Sequence, residues 1–177
     1  MWFPLGTRQG FPAPAAMAEI AGGDGGIRIA FGAPAPGVAG FRRTHQQALS
    51  AQAVALAAGP SGQLVTSFSE VAPVALMAGS IDLLRGWVIA TLGALAGDDD
   101  HNARLRGTLA AFLRENGSYK ATAERLTVHK NTVQYRIRKA EESLGRPVGE
   151  GRLHIELALL ASEWLGPAVL RRAHPRA

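Results

Sequence analysis

The stretch "TAERLTVHKNTVQYRIRKAEE", residues 122–142, decides how the carboxyl-terminal half of this chain folds. It contains two short helical patterns that are separated by only three residues, 127–129. Ala123 is small at the place where two crossing helices come closest, and Val128 can fill the space between them. The second pattern has apolar or small residues at i, i+4, i+7 and i+11, the spacing of a buried stripe: Val133, Ile137, Ala140 and Leu144. The stretch therefore predicts a helix-turn-helix.

The polar side chains of the second helix, predicted from about residue 130 to 144, lie opposite that stripe. Long hydrogen-bond donors near the start of such a helix reach base edges when it enters the major groove of DNA. The first helix, from residue 119 to about 126 with Ser118 as N-cap, would place its start near phosphates, because unpaired amides bind anions. His129 could contact a phosphate or cap the second helix, and both roles stay open. The candidate DNA-binding residues are Ser118, Tyr119, Lys120, His129, Lys130, Asn131, Thr132, Gln134, Tyr135 and Arg138.

The net charge of +5 is unevenly distributed along the chain. Residues 1–100 hold 5 basic and 7 acidic side chains, whereas residues 101–177 hold 14 and 7, so the positive excess lies in the half with the helix-turn-helix pattern. On charge alone, these basic residues would form an ordinary solvated surface. Their position beside a small crossing residue and an apolar plug favours DNA binding, although Thr127 stands where such turns usually have glycine.

The remaining sequence predicts a mainly α protein, in which a small, incomplete α/β segment precedes the helix-turn-helix bundle. Residues 1–25 are rich in Gly, Pro and Ala without any period, which predicts a disordered tail. In residues 26–78, "GIRIAFG" and "QLVTSF" predict two strands on either side of a helix that begins near Val38. These elements are too few for an open sheet with both faces covered. Apolar or small residues follow a helical spacing in the predicted helix: Phe41, His45, Ala48, Leu49, Gln52 and Leu56.

The boundaries of the other segments follow from capping residues and charge. A connecting helix is expected over residues 79–97, with Ser80 as its N-cap. The helix-turn-helix domain would cover residues 98–166, and residues 167–177 would form a basic, solvated tail. Within the domain, a further helix is indicated by one apolar face, made of Leu105, Leu109, Phe112 and Leu113.

Several classes of function lack the residues that they need. The chain has no cysteine, which excludes disulfides and thiolate chemistry and fits the cytoplasm. Its five histidines have no i+4 partner or carboxylate at ligand spacing, so no metal and no other cofactor is expected. "GGDGG", residues 22–26, is similar to the acidic turn of diguanylate cyclases, but residues 1–78 lack the several carboxylates of a two-metal site. The longest apolar run is far shorter than the ~20 residues of a membrane span. We therefore expect neither an enzyme nor a membrane protein.

A longer stretch, "TLAAFLRENGSYKATAERLTVHKNTVQYRIRKAEESLGRP", resembles the carboxyl-terminal helix-turn-helix of bacterial transcriptional regulators of the PucR and CdaR type. The resemblance continues through "GRLHIELALLA" and covers about residues 98–165. Upstream, "GAPAPGVAGFRRTHQQAL" resembles the end of the degenerate GGDEF-like domain that precedes the helix-turn-helix in this family, so the chain looks like a shortened member. Family members more often have arginines in place of Lys130 and Gln134, and their base preference therefore does not transfer.

These observations predict a sequence-specific regulator that binds double-stranded DNA. A single module buries too little surface for strong selectivity, so a homodimer is expected, with half-sites about one helical turn apart. The residues do not indicate an operator or a small-molecule effector. The alternative is a non-enzymatic interaction or dimerisation remnant of such a regulator, with little DNA binding.

Overall fold

The computed structural model describes residue 17 and residues 27–172. The chain divides into two compact units, residues 1–76 and 77–177. The disordered tail predicted for residues 1–25 lies outside the described residues except for Met17. That residue is buried with Val65, and Ile29 and Phe31 pack against the pair.

The first unit contains the predicted strand, helix and strand, and one helix that the sequence pattern did not predict. Strand β1 (Ile29–Phe31) pairs in parallel with β2 (Val65–Ser67), and helix α1 (Gly37–Ala57) connects the two strands. A short 3-10 turn, Gly59–Ser61, lies between α1 and β2. Helix α2 (Phe68–Met77) follows β2 directly.

The apolar spacing that predicts α1 does not mark its buried face. The helix buries small residues and one valine: Gly40, Ala51, Val54 and Ala55. Leu49 and Leu56, which belong to the predicted stripe, are exposed at 50% and 67%. Small residues face inward because α1 packs closely on the two-stranded sheet.

The second unit is helical, and the polypeptide enters it through α3 (Ile81–Leu92), followed by a 3-10 turn, Gly93–Ala96. Ser80 caps α3, since its hydroxyl accepts a hydrogen bond from the amide of Leu83 at 3.5 Å. The predicted N-cap Ser80 is confirmed. The α-helical part of the segment expected over residues 79–97 ends at Leu92, and the 3-10 turn continues it to Ala96, within the same compact unit as the helices that follow.

Four helices complete the second unit. They are α4 (Asp100–Arg114), α5 (Tyr119–Leu126), α6 (Lys130–Leu144) and α7 (Arg152–Leu165). The core of the second unit is mainly aliphatic and also includes Phe112 and Trp164. Its largest fully buried side chains are Val88, Leu92, Leu95, Leu109, Val133, Ile137, Ile155, Leu165 and Val169. The first residues of α5 and α6 coincide with the predicted starts of the two helices of the helix-turn-helix.

The residues after α7 belong to this core and do not all extend into solvent. A 3-10 turn, Gly166–Ala168, leads to β4 (Arg171–Arg172), which pairs in parallel with β3 (Gly97–Asp98). Val169 and Leu170 are buried between the turn and the strand. The prediction of a solvated basic tail is therefore wrong for residues 167–172, because two buried apolar side chains and a partner strand pack this segment onto the second unit.

A buried arginine connects α4 to the segment that precedes it. Arg106 is 8% exposed and donates hydrogen bonds to the carbonyl oxygens of Leu95 at 2.8 Å and Gly97 at 2.6 Å. Burial lowers the pKa of Arg106, while Asp98 and Asp99 act in the opposite direction. The guanidinium thus satisfies backbone carbonyls at the point where the 3-10 turn becomes β3.

In the part of the chain that the structure describes, no single helix has the length and composition of a membrane span. Phe68–Met77 and Ile81–Ala96 taken together reach that length and apolar content, but a break separates the two helices.

Candidate nucleic-acid interface

Helix α5 begins at a side-chain cap, as the sequence predicts. The Ser118 hydroxyl accepts a hydrogen bond from the amide of Ala121 at 3.2 Å, and the Thr122 hydroxyl donates to the Ser118 carbonyl at 2.7 Å. Lys120 is exposed on the first turn. The Tyr119 ring is half-buried against Phe112, with ring centroids 4.7 Å apart. At this end of the helix, the backbone amide of Tyr119 is therefore a better candidate to bind an anion than its side chain.

The turn between α5 and α6 is tight, and backbone hydrogen bonds close it. The amide of Val128 donates to the carbonyl of Ala123 at 3.0 Å, and the amide of Thr127 donates to the carbonyl of Glu124 at 3.2 Å. Thr127 has φ 53° and ψ 47°, the left-handed conformation that glycine adopts most easily. Ala123 is buried where the helices cross, and Val128 is half-buried beside it. A threonine therefore fulfils the geometric role that glycine usually has in such a turn.

Helix α6 is capped by an imidazole. The Nδ1 atom of His129 accepts a hydrogen bond from the amide of Asn131 at 3.2 Å, and the His129 carbonyl accepts from the amides of Thr132 and Val133. An Nδ1 atom that accepts carries no proton, so this cap requires a neutral ring with its proton on Nε2. Of the two roles that the sequence left open, the structure contains the cap, and a phosphate contact stays a prediction.

The exposed face of α6 brings together most of the residues singled out from the sequence. Val133 and Ile137 are buried at 0% and 2%, while Asn131, Gln134 and Arg138 are exposed on the other side of the helix. Lys130 and Tyr135 are also exposed, and Thr132 is half-buried. Successive positions three or four residues apart share one side of a helix, so the long polar side chains form one continuous surface.

Two other basic side chains near this surface have structural partners. Arg136 donates to the hydroxyl of Thr108 on α4 at 3.3 Å and is half-buried. Arg125 on α5 forms an ion pair with Glu115 at 3.0 Å. These contacts connect α5 and α6 to α4 and its carboxyl end, which fixes the orientation of the exposed face.

One residue of the exposed face was missed by the sequence interpretation. Glu142 accepts a hydrogen bond from Lys139 at 2.6 Å, and its other oxygen lies 3.8 Å from Nε of Arg138. The Arg138 guanidinium also lies 5.9 Å from the centre of the Tyr135 ring. The hydrogen bond from Lys139, followed by the charges of Lys139 and Arg138, holds the pKa of Glu142 below its ordinary value. The signal was present in the sequence, because residues three and four positions apart on a helix are neighbours.

Among residue 17 and residues 27–172, no group of three or more His, Asp or Glu side chains is placed to bind a metal ion. The exposed face of α6 consists of hydrogen-bond donors, cations, the phenol of Tyr135 and the carboxylate of Glu142.

Comparison with protein families matches residues 105–161 to the PucR C-terminal helix-turn-helix domain. Residues 105–161 are therefore similar to this helix-turn-helix domain. The matched region begins within α4 and ends within α7, so it contains the whole exposed face of α6. It does not reach residues 32–49, and their resemblance to a GGDEF-like domain stays a prediction.

Three curated proteins are similar to parts of the chain. The uncharacterized protein in the pkwA 5' region of Thermomonospora curvata is 48% identical over 54 residues, which are 30% of this chain and 30% of that protein. The transcriptional activator PmfR of Paenarthrobacter nicotinovorans is 32% identical over 133 residues, 72% of this chain and 27% of its own length. The carbohydrate diacid regulator of Escherichia coli (strain K12) is 39% identical over 66 residues, 36% of this chain and 17% of its own length. The chain thus spans 17% to 30% of the length of these relatives.

Proposed function

We propose that this protein is a transcriptional regulator that binds double-stranded DNA in a sequence-specific manner, with α6 in the major groove. The observation that carries this proposal is the exposed face of α6, where Asn131, Gln134 and Arg138 lie opposite the buried Val133 and Ile137. The PucR-type domain supports it, as do the two relatives whose names describe a transcriptional activator and a regulator. The protein acts in the cytoplasm, without catalysis or a cofactor.

The residues of the face divide into those that read bases and those that bind phosphates. Gln134 can form two hydrogen bonds with adenine, and Arg138 can form two with guanine. Lys120, Lys130 and the first amides of α5 suit phosphates, which position the protein without reading sequence. His129 and Thr132, at the start of α6, lie where a phosphate or sugar would pass.

A binding experiment tests the proposal. Duplexes that the wild-type protein selects from a randomised pool are compared with random duplexes in gel-shift titrations at two salt concentrations. Gln134→Ala should weaken binding to the selected duplex by about 1–3 kcal/mol and reduce its preference over random DNA. Lys120→Gln should weaken both duplexes by a similar factor and flatten the salt dependence by about 0.9 on a log–log plot.

A matched control is available on α5. Arg125 lies five residues beyond Lys120, on another side of the helix, and is paired with Glu115. Arg125→Gln removes the same charge and should change the salt dependence less. If the wild-type protein retards no duplex at either salt concentration, the proposal fails, and the chain is instead an interaction module.

Two further parts of the proposal concern assembly. A homodimer would place two α6 helices on half-sites about one helical turn apart, and sedimentation on the selected duplex measures its stoichiometry. The first unit, with its parallel β1–α1–β2 order, is proposed to be related to the GGDEF-like domain.

A further inference from the structure

Glu142 lies on the same side of α6 as the residues proposed to contact DNA. Counted from Asn131, the positions of Tyr135, Arg138 and Glu142 are i+4, i+7 and i+11, which share one helical stripe. The Glu142 side chain is 52% exposed, and it lies about 6 Å beyond Arg138 along the helix axis. A carboxylate on this stripe faces the same partner as the cations beside it.

The contacts of Glu142 engage both neighbouring cations at once. One oxygen accepts a hydrogen bond from Nζ of Lys139 at 2.6 Å, and the other lies 3.8 Å from Nε of Arg138. The same cations hold the pKa of Glu142 below its ordinary value, which favours the ionised carboxylate. A phosphate that approaches Lys139 must therefore displace Glu142 and approach its negative charge.

Exposed ion pairs of this kind are individually weak, so DNA can separate them. The carboxylate remains in place after separation, however, and charges within about 8–10 Å of each other are only partly screened at physiological salt. Binding to random DNA depends almost entirely on cation–phosphate contacts, which makes it sensitive to one carboxylate beside two cations. Binding to the selected site additionally uses base edges, and there Glu142 can hold the Arg138 guanidinium in a fixed direction.

We propose that Glu142 is a specificity-determining residue, which weakens binding to random DNA by occupying Lys139 and Arg138 and orients Arg138 on the selected site. The proposal rests on the proposed function, because it concerns the same face of α6. It predicts that neutralising Glu142 changes binding to the two kinds of DNA in different ways.

The test compares Glu142→Gln with the wild-type protein and with Glu156→Gln. Glu156 forms an exposed ion pair with Arg152 on α7 at 2.8 Å, so its variant removes the same charge from the same kind of pair on another helix. Binding of the full chain to 30-bp duplexes, one of random sequence and one selected by the wild-type protein, is followed by fluorescence anisotropy across salt concentrations. Thermal unfolding by circular dichroism establishes that all variants are folded.

With Glu142→Gln, we expect the Kd for random DNA to fall by roughly threefold to tenfold, and the log–log salt slope to steepen by about 0.9, the value of one added phosphate contact. The Kd for the selected duplex should stay equal or rise. Glu156→Gln should change both duplexes by the same smaller factor. Adding Lys139→Met to Glu142→Gln should remove the extra slope, because the released ammonium is then absent.

Equal changes on both duplexes, or changes no larger than those of Glu156→Gln, would overturn the role of Glu142. The failure of the proposed function looks different, because it is seen with the wild-type protein alone, as an absence of binding to either duplex.

Discussion

Helices α1 and α6 are both amphipathic, yet their buried faces differ in the size of the side chains and in what lies opposite them. Helix α6 buries Val133, Ile137 and Ala140 between its neighbours and exposes its polar side chains. Helix α1 buries Gly40, Ala51, Val54 and Ala55 and exposes leucines. The difference follows from the packing partner, since α6 packs on other helices, where large side chains interdigitate, whereas α1 lies close to a two-stranded sheet. An apolar stripe thus identifies a helix more securely than it identifies the buried face.

The sharpest test of this comparison truncates one aliphatic side chain in each helix. Ile137→Ala removes a side chain that is 2% exposed and should reduce the free energy of unfolding by about 2–5 kcal/mol. Leu56→Ala removes a similar volume at 67% exposure and should change it by less than about 0.5 kcal/mol. Urea unfolding followed by circular dichroism measures both. A loss for Leu56→Ala as large as that for Ile137→Ala would mean that the α1 stripe is buried in solution.

A pair of arginines extends the comparison to polar contacts. Arg106, in the second unit, is buried and donates hydrogen bonds to two backbone carbonyls. Arg28, in the first unit, is partly exposed and donates to the carbonyls of Ala55 at 2.9 Å and Pro60 at 3.1 Å. Arg106→Met should cost about 2–4 kcal/mol, because the carbonyls left behind are shielded from water. Removing the desolvation cost of the guanidinium offsets part of this loss.

Arg28→Met should cost less than about 1 kcal/mol, since water can replace the lost donors. Urea unfolding of the two variants checks the difference. Equal losses would show that the number of hydrogen bonds, and not their burial, determines what each arginine contributes.

Much of the helix-turn-helix could be predicted because its signals are local. Ser118, Ala123 and the spacing after Val133 each depend on residues within a few turns of helix, and the starts of α5 and α6 were confirmed. The order of strand, helix and strand in the first unit was also confirmed, because turn residues separate the elements. The assignment of the exposed residues to DNA contacts stays a prediction.

The parts that could not be predicted depend on distant partners. Val169 and Leu170 precede two arginines, so they look like part of a basic tail. The two arginines, however, pair with Gly97–Asp98, more than 70 residues earlier in the chain, and Val169 and Leu170 are buried. Helix α2 was missed because Pro73 lies inside it and its apolar residues have no clear period. For Val169 and Leu170 the deciding contact is tertiary, and sequence periodicity does not contain it.

Helix starts provide a smaller test of the same contrast. Helix α1 begins without a side-chain cap, whereas Asp99 caps α4 by accepting from the amide of Asn102 at 2.9 Å. Asp99→Ala should cost about 1 kcal/mol at neutral pH. Asp100→Ala removes a neighbouring charge without the capping bond and should cost less than half as much.

The contribution of Asp99 should depend on pH with a defined sign. The amide and side chain of Asn102 lower the pKa of Asp99 from its ordinary 3.8. Folding therefore favours the ionised form, so the contribution is complete above pH 3.8 and is lost as the pH falls through the lowered pKa. The urea midpoints of the wild-type protein and Asp99→Ala, measured at steps between neutral and acidic pH, should converge only below pH 3.8. Convergence at higher pH would contradict the capping role.

The smallest predicted effect concerns the ends of α5 and α1, and here the two helices should respond with opposite signs. Thr127 ends α5 with φ 53°, which costs a β-branched residue about 1 kcal/mol, whereas Ala58 ends α1 with φ −67° in the right-handed region. Thr127→Gly should therefore stabilise the second unit by about 0.5 kcal/mol, since relief of strain exceeds the extra entropy that glycine loses on folding. Ala58→Gly relieves no strain and should destabilise the first unit by about 0.5–1 kcal/mol. Thermal unfolding of the two variants measures both signs. Thr127 is exposed, so its side chain is expected to contribute little to packing. If Thr127→Gly is destabilised instead, the threonine side chain makes a contact that outweighs its backbone strain.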